Sequence, residues 1–330
     1  VSCSSNSGEE KTARGKKVVL NISVNFVRAS ATVWRSVQPW IMAARLKTLP
    51  AALCPVVFAA VVAVCEGISE WSLLLVISLC AVSIQVICNY ANDLYDFIKG
   101  ADTAARIGPQ RAVQSGLISP SAMRNALKIL VVVVVLLGCV LVKEGGWPIL
   151  VIGISSLIAA FAYTSGPFPL AYLGLGELFV LIFFGPVPVY GTLLLLTGRV
   201  IPSALIIGLG ISALASALIV VNNVRDREQD QNASKKTVAV RIGDPWCRYE
   251  YGLWLGVAAF SPIVAVYSGA PIGILASSFF MFVCGVGAIK SLLCAKDAAS
   301  FGAVLVKTVR ILICYTIVAS VGWFISAALL

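Results

Sequence analysis

From residue 35 onward the chain is a series of long apolar runs separated by short polar breaks. Runs close to the ~20 residues a helix needs to cross a bilayer lie at 48–66, 71–92, 121–142, 147–164, 176–197, 202–223, 250–268, 271–294 and 309–329. They predict an all-α, multi-pass transmembrane bundle of nine helices over 35–330. Pro50 and Pro55 fall in the first run and Gly185-Pro-Val-Pro188 in the fifth, so a kink or break is expected in each. Residues 1–34 are polar, Ser-rich at the start and basic, and are expected to be disordered or surface-bound.

Composition supports the bilayer reading. Hydrophobic residues make up 59% of the 330 positions and charged residues 12%, which excludes an ordinary soluble domain. With nine spans and the N-terminus inside, every lysine and arginine except Lys143 and Arg199 falls on the inner side. The net charge of +10 is then mostly topology, and a nucleic-acid partner is not expected because no basic surface on a soluble domain exists to hold one. The expected place is a bacterial plasma membrane with the N-terminus and the active end cytoplasmic. Val1-Ser-Cys3 and the serines after it resemble a plastid transit-peptide boundary, an alternative that Glu9 and Glu10 count against.

Two acid-bearing segments interrupt this oily pattern. Asn89-Tyr-Ala-Asn-Asp93-Leu-Tyr-Asp96 ends the second run, with Asp102 just beyond. Asn222-Asn-Val-Arg-Asp226-Arg-Glu-Gln-Asp230 ends the sixth. Asn89 and Asp93, Asn92 and Asp96, and Asn222 and Asp226 are each spaced i,i+4, which sets their oxygens on one helical face. Carboxylates at a helix C-terminus oppose the macrodipole and call for a compensating cation. The plainer alternatives are a solvated helix end for the first segment and, since Arg225 and Arg227 interleave, a salt-bridge network for the second. The chain has no histidine, which excludes His-ligated haem, His-based zinc sites and a His general base. An oxygen-ligated Mg2+, or Mn2+, is the expected metal. The ten cysteines are scattered without a CxxC pair and read as small buried hydrophobes.

Bases follow both segments: Lys99, Arg106 and Arg111 after the first, Lys235, Lys236 and Arg241 after the second, with Lys47 at the mouth of the first run. Metal plus Lys/Arg is a clamp suited to a diphosphate; anchoring at the inner face accounts for some of them equally well. The stretch from Tyr163 to Glu177 has aromatics and glycines but no base, which suits the wall of a flat acceptor pocket. Glu177 serves there either as an acid in the first turn of a helix or as a polar contact to an aromatic substrate.

These residues resemble the UbiA superfamily of intramembrane prenyltransferases, and within it the 1,4-dihydroxy-2-naphthoate prenyltransferases of the menaquinone branch. The resemblance rests on Arg45-Leu-Lys-Thr-Leu-Pro50, Asn89-x3-Asp93-x2-Asp96, Lys99-Gly-Ala-Asp102, Arg106-Ile-Gly-Pro109 and Gln114-Ser-Gly116. It continues through Tyr163-Thr-Ser-Gly-Pro167, Gly174-Leu-Gly-Glu177, Asn222-Asn-Val-Arg-Asp226-x3-Asp230 and Lys236-Thr-Val-Ala-Val-Arg-Ile-Gly243. It implies a nine-helix fold and a metal role for Asp93, Asp96, Asp226 and Asp230, supported by Asn89, Asn92 and Asn222. Whether Asp96 or Asp102 completes the shell stays open. It also implies a polyprenyl diphosphate donor held by the bases above, and an aromatic acceptor near Tyr163, Glu177 and Gln114. The implied reaction is Mg2+-dependent prenyl transfer to 1,4-dihydroxy-2-naphthoate with loss of pyrophosphate and CO2. Alternatives are another aromatic acceptor or, in a different class, an ion-coupled transporter, which predicts acids at mid-helix rather than at helix ends.

Overall fold

The computed structural model describes residues 34–102 and 108–329. Arg106 and nearly all of the polar N-terminal segment lie outside them. Among the described residues there is no strand, and eight helical stretches are long and apolar enough to cross a membrane. We number the helices α1 (Trp34–Cys65), α2 (Trp71–Ile98), α3 (Pro120–Ala162), α4 (Gly176–Phe183), α5 (Pro186–Thr197) and α6 (Pro202–Arg225). Two short helices, α7 (Arg227–Asn232) and α8 (Val238–Ile242), precede α9 (Asp244–Tyr267), α10 (Leu275–Cys294) and α11 (Ala298–Ala328).

The difference between eight stretches and the nine expected is resolved at Gly146. Helix α3 has 43 residues, about 65 Å at the helical rise, roughly twice a bilayer core. It is not one rod: Gly146 adopts φ 67 and ψ −156, two residues before Pro148, and divides it into two limbs. These limbs match the runs predicted at 121–142 and 147–164. The first run is not broken where expected, since Leu49–Cys65 runs on through Pro55; the break falls ahead of it, where Arg45 takes a left-handed φ of 51 before a 3-10 turn at Leu46–Thr48. Pro50 then sits in the first turn of the next limb, where its missing N–H is harmless. Helix α1 therefore begins well before the predicted run.

The other expected break separates α4 from α5. Gly185 packs directly on the α6 backbone, and a Cβ there would run into Gly208 O and Ser212 Oγ. Close approach of this kind needs small residues, and α6 supplies Gly208, Gly210, Ser212, Ala213, Ser216 and Ala217. Helix α6 is accordingly the central helix: 78% of its most apolar window is buried, against 17% for α2 and for α3. It packs on α9, α11 and α4, while α2 packs on α3 and α1 joins the two groups. The outer faces remain apolar, with Ile129, Leu136 and Ile158 on α3 and Phe279 and Val283 on α10 exposed. Such surfaces are covered by lipid, and the chain is a multi-pass membrane protein.

Candidate active site

Helices α2, α3 and α6 each end at one face of the bundle, so the loops after them meet there. Asp96, near the end of α2, is the centre of this meeting and is 1% exposed. Its Oδ1 accepts from Tyr172 OH at 3.0 Å and lies 3.1 Å from Lys235 Nζ; its Oδ2 lies 3.4 Å from Arg111 Nη2. The same Arg111 nitrogen donates to Asn92 Oδ1 at 3.3 Å, and Arg111 Nε pairs with Asp102 Oδ2 at 3.3 Å. Asn92, Asp96, Asp102 and Arg111 thus form one buried cluster.

The other i,i+4 pair on α2 has different partners. Asp93 accepts two backbone N–H bonds, from Ala112 to Oδ2 and from Val113 to Oδ1, both 3.0 Å. Asn89 Nδ2 donates to Ala44 O at 2.9 Å and Thr48 Oγ1 at 3.0 Å. These two residues fasten the 111–118 turn and the break in α1 around Arg45 onto α2. The sequence ranked the Asn89/Asp93 pair beside Asn92/Asp96, because i,i+4 spacing shows that side chains share a face but not what that face meets.

The second acid segment closes from the opposite side. Helix α6 stops at Arg225, and Asp230 projects from the short α7 toward the loop that carries Lys235. Lys235 Nζ lies 3.8 Å from Asp230 Oδ1 as well as 3.1 Å from Asp96 Oδ1. The two acid segments therefore face each other closely enough to share one cation. Asp226 is gripped by its neighbour Arg225, at 2.7 Å and 2.8 Å to its two oxygens. Asn222 donates its amide back to Leu218 O at 3.1 Å.

The predicted bases divide by partner. Arg111 and Lys235 are in the cluster. Lys99 donates to Thr164 O at 2.8 Å and stands 4.6 Å from the Tyr172 ring centroid, with Lys235 4.8 Å from the same centroid. Desolvation lowers the Lys99 pKa from the ordinary lysine value, and Lys235 adds to that against the pull of Asp96. Arg241 binds backbone instead. Its Nε donates to Lys236 O and its Nη2 to Leu173 O, both at 2.9 Å, so it staples the 170–174 and 235–237 backbones together. Lys47 and Lys236 are exposed.

Tyr172 was not singled out in the sequence. It lies within the aromatic stretch flagged there, but only folding brings its ring between two lysines and its hydroxyl onto Asp96. Burial, and then the Asp96 charge, push its phenol far above the usual tyrosine range, so it stays a donor.

On the acceptor side, Glu177 is 4% exposed and begins α4. Its Oε1 accepts from Asn223 Nδ2 at 2.6 Å, while Oε2 is buried without a partner among the described residues. Tyr163 packs against Gly176, where a Cβ would stand 3.1 Å from its hydroxyl. Gln114 is half-buried in the same turn as Arg111.

The donors suit a hard divalent ion: two carboxylates and an amide oxygen converge, and side-chain cations now stand among them. Among the described residues no group of three or more acid, His or Cys side chains forms a ready metal shell.

Comparisons with known proteins identify the family and the fold. Residues 52–301 match the model of the UbiA prenyltransferase family. The chain is 36% identical to a 1,4-dihydroxy-2-naphthoate octaprenyltransferase of Escherichia coli (strain K12), over 63% of this chain and 69% of the relative. It is 35% identical to the protein of that description from Haemophilus influenzae, over 71% and 78%. Among solved structures, a UbiA homolog from Archaeoglobus fulgidus bound to DMAPP and Mg2+ superposes with a TM-score of 0.59 at 15% identity, covering 86% of this chain and 99% of that one.

Proposed function

The chain belongs to the UbiA prenyltransferase family, and from that premise we propose that it prenylates 1,4-dihydroxy-2-naphthoate from a polyprenyl diphosphate. The observation that carries this reading is the shared ammonium: Asp96 and Asp230, from separate segments, both reach Lys235. Opposed carboxylates of this kind suit Mg2+, or Mn2+ in its place, with Asn92, Asp96, Asp226 and Asp230 as its holders and Asp102 behind Arg111. When bound, the metal supplies Lewis acidity toward the diphosphate oxygens.

The chain's own residues account for the remaining chemistry. Lys99, Lys235 and Arg111 lie where negative charge grows as the allylic C–O bond breaks, and they stabilise the departing pyrophosphate. An allylic cation formed here has to be kept from water. A ring carbon of the acceptor attacks that cation, and CO2 leaves from the same carbon, returning its bonding electrons to the ring. No base is then needed for a ring proton, which fits a chain without histidine. Glu177 Oε2 is a ready acceptor for an aromatic hydroxyl. An apolar groove of about 520 Å³, lined by Val131, Leu157, Phe161, Pro167 and Phe168 among others, lies beside the 163–168 turn and suits an isoprenoid tail. The active end faces the cytoplasm of a bacterial plasma membrane.

The test is purified protein in nanodiscs with Mg2+, a panel of prenyl diphosphates and several aromatic acids, following pyrophosphate and CO2 together. The expected result is equal release of both, with 1,4-dihydroxy-2-naphthoate preferred. Pyrophosphate release matched by turnover of a different phenol without CO2 would overturn the acceptor assignment.

A further inference from the structure

Lys235 is held more tightly than a lysine that merely waits for phosphate. Its side chain is 11% exposed, with the ammonium 3.1 Å from Asp96 Oδ1 and 3.8 Å from Asp230 Oδ1. The Tyr172 ring lies against it at 4.8 Å, and the Tyr172 hydroxyl donates to the same Asp96 oxygen at 3.0 Å. Backbone bonds fix both residues: Lys235 N donates to Asp230 O at 2.8 Å and Lys236 N to Tyr172 O at 3.0 Å.

Buried carboxylates need a counter-ion, and here the chain brings its own. A divalent cation and an ammonium cannot both sit between the same oxygens, because like charges within about 4 Å repel strongly in a poorly solvated site. Resting on the reading that Asp96 and Asp230 hold a divalent cation, we propose that Lys235 is a displaceable counter-ion and Tyr172 its positioning residue. Lys235 neutralises the two acid segments in the metal-free protein, gives up that place when the cation enters, and then turns to the diphosphate. The Tyr172 ring, already flanked by Lys99 on its way to the diphosphate side, is the surface along which the ammonium moves. Metal and diphosphate thereby load in order, since Lys235 is released for the second only by the first.

Amine acylation followed by mass spectrometry tests this on the full chain in nanodiscs. Lys235 is measured relative to its exposed neighbour Lys236, in EDTA, in Mg2+ alone, and in Mg2+ with inorganic pyrophosphate. The expected pattern is protection in EDTA, a rise of about tenfold with Mg2+, and protection again once pyrophosphate is added. In EDTA, Tyr172→Leu should raise Lys235 labelling about two- to fivefold, with Tyr172→Phe close to wild type because the ring remains. Mn2+ binding, followed by electron paramagnetic resonance on the same protein preparation after EDTA and Mg2+ are removed, separates the two levels of the reading. No Mn2+ binding by the wild-type protein overturns both this inference and the proposed function. Mn2+ binding with Lys235 labelling unchanged overturns the counter-ion role alone.

Discussion

Asp93 and Asp96 are three residues apart on α2 and almost equally buried, yet they answer to different parts of the molecule. Asp93 holds two backbone N–H groups of the turn that carries Arg111, whereas Asp96 meets Tyr172, Lys235 and Arg111. Asn in place of Asp93 keeps one acceptor oxygen and turns an amide N–H toward the other donor, a loss of about 1–3 kcal/mol. Asp93→Asn should therefore lower the thermal midpoint while the protein that stays folded keeps its kcat within about tenfold. Asp96→Asn leaves Arg111 and Lys235 short of a partner, so it too loses stability. Its distinguishing effect is a fall in kcat of about a hundredfold or more in the folded fraction. Thermal shift and kcat measured on the same preparations decide this, and a reversed ranking would return Asp93 to the metal role assigned to it from the sequence alongside Asp96.

At the scale of elements, the site is shaped by how its loops are joined. Arg241 ties Lys236 O to Leu173 O, and that link sets the Tyr172 ring against Lys235. A lysine cannot reproduce the planar fork that spans two carbonyls. Arg241→Lys and Arg241→Gln should both raise hydrogen exchange in 170–174 and 235–237 and lower kcat/KM by roughly tenfold; a phosphate ligand would instead be partly rescued by lysine, with exchange unchanged. Deeper in the bundle, Gly185→Ala drives a Cβ into the α6 backbone. We expect a loss of about 1–3 kcal/mol, read as a lower thermal midpoint, with Mn2+ affinity little altered because α6 ends at the site well beyond the contact. Here the sequence was informative: Gly185-Pro-Val-Pro188 marked the break between α4 and α5. What it lacked was the reason, the Gly208 backbone across from Gly185, which belongs to another helix.

For the whole molecule, the central place of α6 carries the second acid segment to the middle of the bundle's active face, opposite the first. Charge then bears on orientation. In a chain whose native cysteines are replaced by alanine, Lys236→Cys should react with a membrane-impermeant maleimide only from the cytoplasmic side, and Arg199→Cys only from the outer side. Exchanged sides would overturn the N-in arrangement, and labelling of both from one side would overturn the span between them. Nine limbs were legible because a helix in lipid must satisfy its own backbone and so leaves a run of fixed length in the sequence. Gly146 lies in the short gap between two of those runs, and its non-helical backbone divides the 43-residue stretch into two limbs. The acid and base types of the site were legible for a related reason: charge beside so much apolar sequence is costly without a partner.

Sequence by itself determined that this protein crosses a bilayer many times and that carboxylate, amide and ammonium side chains gather where its apolar runs end. Those properties follow from solvation, which acts on each residue according to its own composition. Tertiary structure alone decided which members of each acid segment meet, that Arg241 joins loops, and that Tyr172 belongs among the lysines. Such pairings depend on how helices rotate and loops cross, which packing between distant parts of the chain determines and no local pattern records.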